Sequence, residues 1–222
     1  MEIQYFLPGE IEKRSFEIIG EELLARKIVL PEIERPVTMR VIHTSADFDY
    51  AETLKFSKNA VETAENLILG GADIVTDTNM AKAGISGKTL AKFGGEVHCF
   101  MADDDVASEA KERGTTRAAV SMEKAARLAA EKGKKLIFAV GNAPTALISL
   151  YEMMEKGIFR PDFVIGVPVG FVNVVEAKEL FLKSDVPFIV NKGRKGGSNV
   201  AAAICNAILY GLAENQERKN GK

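Results

Sequence analysis

Five short apolar runs, each closed by a polar or glycine-rich turn, limit the folds open to this chain. They occupy 73–77, 96–101, 136–140, 162–166 and 187–191. Each is continuously apolar instead of alternating, as strands are when a parallel sheet is covered on both faces. Parallel neighbours need long crossovers, and helical spacing over 104–113, 121–132, 144–156, 173–184 and 198–214 supplies them. The expected fold class is α/β: a three-layer α/β/α sandwich of about five parallel strands. Its core spans 71–214, a helical segment over 1–70 packs on it, and 215–222 form a disordered tail. The whole is read as a single domain over 1–222, a length that suffices for one well-buried core.

The N-terminal segment has its own periodicity. Ile11, Ile18, Ile19, Leu23 and Leu24 predict a helix over 9–28. Ser15 falls beside its apolar face, either bonded back to a carbonyl one turn earlier or pointed into a cleft. Pro31 and Pro36 punctuate the next segment. A helix over 37–44 then carries Arg40 and His43, one of only two histidines. Helical spacing continued to Asp47 sets a cation and a carboxylate on the same face as a group that titrates near neutral pH. A further helix over 57–69 stops at Gly70-Gly71.

Charge and composition exclude several classes. The net charge of −2 provides no global field toward nucleic acid or membrane, and neither is expected as a partner. An anionic ligand must therefore be held by local basic residues. The first residues lack the pattern of a signal peptide, and no long apolar run suggests a membrane span. Cys99 and Cys205 stand alone, as small core residues do in a reducing compartment. The expected location is cytoplasmic, and no metal site is expected from two cysteines and two scattered histidines.

In open parallel sheets, ligands bind beyond the carboxyl ends of the strands. Four segments there carry chemistry: 77–85, 141–145, 167–173 and 192–199. In the last, glycines lead into an alanine-rich helix, with Lys192, Arg194 and Lys195 beside its start. Free backbone N–H groups, the helix dipole and three cations favour an anion there. Gly84-Ile85-Ser86-Gly87-Lys88-Thr89 ends like a phosphate loop, but Lys82 stands where the motif's first glycine belongs.

The motifs taken together are more specific than any one of them. They are Arg40-Val41-Ile42-His43-Thr44-Ser45-Ala46-Asp47-Phe48-Asp49, Thr76-Asp77-Thr78-Asn79-Met80, Gly141-Asn142-Ala143-Pro144-Thr145, Gly166-Val167-Pro168-Val169-Gly170-Phe171-Val172 and Gly193-Arg194-Lys195-Gly196-Gly197-Ser198-Asn199. In this order they resemble the precorrin-8 methylmutase family of cobalamin biosynthesis, from about residue 10 to about residue 212. The variants look closer to the cobalt-precorrin-8 branch than to the aerobic one. The resemblance implies a flavodoxin-like sandwich and a homodimer with active sites near the subunit interface. It implies an isomerase that moves a methyl group of a corrinoid from carbon 11 to carbon 12. No cofactor is implied, any cobalt belonging to the substrate, and neighbouring pathway enzymes are further candidate partners.

By the same resemblance His43 is the proton donor and acceptor. Ser15, Arg40, Arg117, Asp77, Asn142, Lys192 and Arg194 are the expected substrate-binding residues. His98 matches no functional position and reads as structural. One departure stands out: Ala177 occupies a position where the family carries Ser, which raises the question of a lost substrate contact. Two other readings compete with the isomerase. One is a carrier that binds tetrapyrroles on the same fold without catalysis; the other is a nucleotide or flavin binder. The second lacks a phosphate loop after the first strand.

Overall fold

A computed structural model describes Tyr5, residues 7–219 and Gly221. The first part of the chain forms α1 (Pro8–Ala25), α2 (Arg35–Ser45), the single turn α3 (Tyr50–Thr53), β1 (Leu54–Phe56) and α4 (Ala60–Leu69). Strand β2 (Asp73–Thr76) follows, then the short helices α5 (Asn79–Gly84) and α6 (Gly87–Ala91), and β3 (Val97–His98). Helices α7 (Asp104–Arg113) and α8 (Arg117–Lys132) lead to β4 (Leu136–Val140) and α9 (Pro144–Glu155). The chain closes through β5 (Phe163–Gly166), α10 (Val174–Leu182), β6 (Phe188–Asn191) and α11 (Ser198–Lys219).

The six strands form one sheet in the order β1-β6-β5-β4-β2-β3. The last five in that order pair in parallel. Counted from β2, they take the flavodoxin-like order 2-1-3-4-5. The strand β1 runs antiparallel along β6, with Leu54 opposite Asn191, and is not among the expected strands. It has three residues and no continuous apolar run, so only its long-range pairing defines it.

Successive strand residues serve opposite layers, which explains why the runs are continuously apolar. Ile74, Ile137, Ile165 and Ile189 face a core shared with α1, α2, α4 and α11. Val75, Phe138, Val164 and Val190 face a second core shared with α8, α9 and α10. The first core contains Ile19, Leu23, Val37 and Ile42, so the N-terminal helices belong to one layer of the sandwich.

Other boundaries differ from the sequence reading. The run over 96–101 contributes only Val97–His98 to the sheet, because β3 is a short edge strand. The residues expected to form a loop after β2 wind into α5, whose N-cap Thr78 accepts a hydrogen bond from the Ala81 N–H at 3.0 Å. Helix α8 starts at Arg117 instead of 121, capped by Thr116 on the Ala119 N–H at 3.2 Å. Helix α11 runs to Lys219, past residue 214 where the tail was expected to begin. Residues 220 and 222 lie outside the described residues.

Candidate active site

Helix α2 sets the site. Pro36 pre-forms its first turn, and Val37, Thr38, Met39, Val41 and Ile42 are buried. The opposite side leaves His43 and Thr44 exposed and Arg40 half-buried. The His43 ring lies 5.2 Å from that of Phe16 on α1, tilted by 31°. The Arg40 guanidinium sits between two rings, 5.2 Å from Phe16 and 5.0 Å from Tyr210 on α11. It also pairs with Glu12 at 2.9 Å. A cleft of about 250 Å³ opens there, with Arg40, His43, Thr44, Asn199 and Tyr210 among its lining. A larger cleft of about 590 Å³ shares Arg40 and Tyr210 and continues past Phe16 toward Pro36 and Val61. Their sizes lie near and within the range usual for small-molecule sites, about 300–1,000 Å³.

Asp47 does not share the His43 face. Helix α2 ends at Ser45, whose hydroxyl bonds back to the Val41 carbonyl at 2.7 Å. Ala46 then takes a left-handed conformation with φ 52°, which breaks the helical register. Asp47 turns to accept the Asp49 N–H at 3.0 Å and the Lys195 ammonium at 2.6 Å. Asp49 takes the same ammonium at 2.6 Å. Hydrogen bonding to Lys195 holds the Asp47 pKa below the ordinary carboxylate value, and the two aspartates raise that of Lys195. Lys195, expected among the free cations of the glycine-rich segment, is therefore engaged. It ties the end of α2 to the β6–α11 loop.

The loops at the carboxyl ends of β2, β4, β5 and β6 pack into one rim. Gly197 N–H donates to the Val167 carbonyl at 2.9 Å, and Thr78 Oγ1 lies 2.8 Å from Ser198 Oγ. A Cβ on Gly196 would come within 2.1 Å of the Val167 oxygen, and one on Gly141 within 2.7 Å of the Gly197 oxygen. Only glycine permits these approaches. On this rim Lys192, Arg194 and Asn142 are exposed, as is Arg117 at the start of α8. The hydroxyls of Thr116 and Thr145 meet at 2.8 Å, which places Arg117 beside the turn that carries Asn142. Among the described residues, no carboxylate lies within ion-pairing distance of Lys192, Arg194 or Arg117. Phe171, 83% exposed, lies under the Arg194 guanidinium at 5.6 Å, and Val172 is 78% exposed beside it. Asn199, in the first turn of α11, lines the His43 cleft and follows the glycine-rich loop in the chain.

Two expected residues sit otherwise. Asp77 is fully buried. At the point where the strand order reverses, between β2 and β4, its carboxylate accepts three backbone N–H groups. These come from Gly141 at 2.9 Å, Asn142 at 2.7 Å and Ala143 at 2.6 Å. Burial raises the Asp77 pKa, and the three donors oppose that rise. Asp77 therefore shapes the turn that presents Asn142, its carboxylate engaged by the backbone instead of exposed toward a ligand as expected. Ser15 is half-buried beside Phe16, and its hydroxyl donates to the Ile11 carbonyl at 2.8 Å. Ala177 is fully buried, so the Ser-to-Ala departure lies in packing. His98 pairs with Asp73 at 3.2 Å and stacks on Phe100, a structural setting away from the rim.

The sequence reading missed Lys178 and Asn191. Lys178 is 1% exposed, and its ammonium donates to the carbonyls of Gly193 and Lys195, both at 2.8 Å. Burial pushes its pKa down to about 8, while the two acceptors favour the charged form. Asn191 donates to the Lys195 carbonyl at 2.8 Å and accepts from the Thr53 hydroxyl at 2.8 Å. A lysine on the buried face of α10, four residues after Val174 and three before Phe181, was the available signal, since a buried lysine demands acceptors.

An open α/β sandwich with a cation-lined rim and a histidine cleft is suited to an anionic small molecule. A family model described as precorrin-8X methylmutase matches residues 10–211. The chain belongs to the precorrin-8X methylmutase family. It is 44% identical over 201 residues to a cobalt-precorrin-8 methylmutase of Priestia megaterium, covering 90% of this chain and 87% of that protein. It is 41% identical to the cobalt-precorrin-8 methylmutase of Salmonella typhimurium, covering 93% and 97%. The crystal structure of a precorrin-8x methyl mutase from Thermus thermophilus superposes with a TM-score of 0.81 at 38% identity, over 93% of this chain and 98% of that one.

Proposed function

We propose that this chain is an isomerase of cobalamin biosynthesis that moves a methyl group from carbon 11 to carbon 12 of cobalt-precorrin-8. Family membership supports the reaction class, and the names of the relatives above support the cobalt branch. The observation that carries the site assignment is the exposed His43 ring in a cleft that also holds Arg40 and Asn199. The substrate is a flat apolar macrocycle fringed with carboxylates. Arg117, Lys192 and Arg194 suit the carboxylates, and Phe171 and Val172 suit the ring. Asn142 adds a polar contact. Arg40 reaches a substrate carboxylate by exchanging its pairing with Glu12, and Ser15 contacts substrate by turning its hydroxyl from the Ile11 carbonyl.

In the proposed mechanism, His43 gives a proton to the ring nitrogen next to the migrating methyl of the metal-free substrate; in cobalt-precorrin-8 the cobalt already holds that nitrogen's lone pair and draws the electron density in the proton's place. Electron density is drawn toward that nitrogen, the carbon 11–methyl bond breaks as the carbon 12–methyl bond forms, and in the metal-free case the proton returns to His43. Atoms and charge are conserved, so the reading needs no cofactor, and cobalt enters only as part of the substrate. Positioned general acid catalysis contributes about 10²–10⁴-fold. The protein is further proposed to be cytoplasmic and to act as a homodimer. Ile11 and Ile18 on α1 and Leu7 just before it are exposed, an apolar stripe that a second copy would cover.

The test mixes the protein with cobalt-precorrin-8, and separately with the metal-free form, and follows visible absorption. A time-dependent change to the migrated corrinoid is expected, faster with cobalt. With the metal-free form, His43→Ala should bind substrate with little change but slow the shift by about 10²-fold or more. Binding without any spectral change in the wild type would point to a carrier, and unaltered turnover in the variant would remove His43 from its role.

A further inference from the structure

The loop between β6 and α11 carries Lys192 and Arg194, and something must keep their backbone from collapsing inward or flipping. Loops on a rim are mobile unless their polar backbone groups are satisfied. Here the satisfaction comes from below. Lys178 reaches up from α10 and takes the carbonyls of Gly193 and Lys195, both at 2.8 Å. Asn191 takes the Lys195 carbonyl as well, at 2.8 Å, and the Lys192 carbonyl at 3.3 Å. Gly193, with φ 82°, permits the turn that points these carbonyls the same way. Lys195 is secured sideways by Asp47 and Asp49. Lys192 and Arg194 are left exposed.

A neutral apolar side chain would fill this interior position at lower cost, since a buried ammonium loses its hydration. The lysine supplies two things that such a side chain lacks. One is a pair of charge-assisted bonds to the loop, which are stronger than neutral ones. The other is a positive charge in low dielectric directly beneath an anion-binding surface.

We infer that Lys178 is a positioning residue for substrate binding: from inside the fold it holds the Gly193 and Lys195 carbonyls, so that Lys192 and Arg194 stay turned toward the carboxylates of the substrate. The inference rests on the isomerase reading above. It separates Lys178 from His43, because one governs affinity and the other the chemical step.

The experiment compares Lys178→Met with wild type in steady-state turnover of cobalt-precorrin-8, below the melting temperature of both. Hydrogen exchange of the backbone amides over 193–197 is measured in parallel. Lys178→Met should raise KM about tenfold, as expected for loss of a charge-assisted contact, while kcat stays within about twofold. Exchange should quicken over 193–197 and remain unchanged in β4 and β5. A folded variant with wild-type KM overturns the inference, as does a fall in kcat at unchanged KM. Should the Met variant not fold, Lys178→Gln retains a shorter donor and should give an intermediate KM; a wild-type KM there is equally contrary. Absence of turnover in the wild type refutes the isomerase reading instead, and loop exchange then decides: unchanged exchange in the variant overturns the clamp.

Discussion

Replacing Asp77 by Asn changes one atom at the point where the strand order reverses. In the native protein one carboxylate oxygen accepts the Gly141 N–H and the other accepts those of Asn142 and Ala143. The best placement of the amide keeps its oxygen on Asn142 and Ala143 and turns its NH₂ against the Gly141 N–H. One charge-assisted bond, of about 1.5–3 kcal/mol, is then lost and a buried donor is left unsatisfied. The two retained bonds weaken because the acceptor is neutral. Relief from burying a carboxylate offsets part of this. The net destabilisation is about 2–4 kcal/mol. For a chain of 222 residues, at about 2–4 °C per kcal/mol, the melting temperature falls by about 5–15 °C. Thermal denaturation followed by circular dichroism at pH 7 measures it, with KM determined well below the transition. An unchanged melting temperature with a raised KM would falsify the reasoning, because it would return Asp77 to the substrate.

The other predictions concern pH and reactivity. Asp47 has its pKa lowered by Lys195, so its contribution to stability is present above its ordinary value of 3.8 and is lost as pH falls through the lower folded value. Asp47→Asn should therefore melt below wild type at pH 7 and match it in strong acid; a difference that persists in acid would contradict the pairing. Cys205 is fully buried, and burial pushes its thiol up to about 12. A thiol-modifying reagent at pH 8 should leave Cys205 unlabelled in the native protein and label it after unfolding, as peptide mass spectrometry would show.

Much of the architecture was legible in local pattern. The runs over 136–140, 162–166 and 187–191 became β4, β5 and β6, because a strand covered on both faces has no polar alternative at any position. The order of motifs identified the family, which needs only residue identity and spacing. The strand β1 was not legible, since three residues carry no periodicity and its pairing partner lies at Asn191. Nor was the end of α2. Helical spacing put Asp47 with His43, and a single left-handed residue, Ala46, sent it to Lys195 instead.

The sequence by itself determined which residues are apolar, at what period, and so which layers they fill. Tertiary structure alone decided where the polar side chains point. Asp77 follows a strand whether its carboxylate faces a ligand or three amides contributed by the turn after β4. Lys178 falls on the apolar side of α10, but its acceptors exist only once the loop above it supplies two carbonyls. Burial of apolar surface is non-directional and follows from composition along an element. A hydrogen bond is directional and needs a partner at about 3 Å, which here comes from a distant part of the chain and exists only once the sheet is assembled.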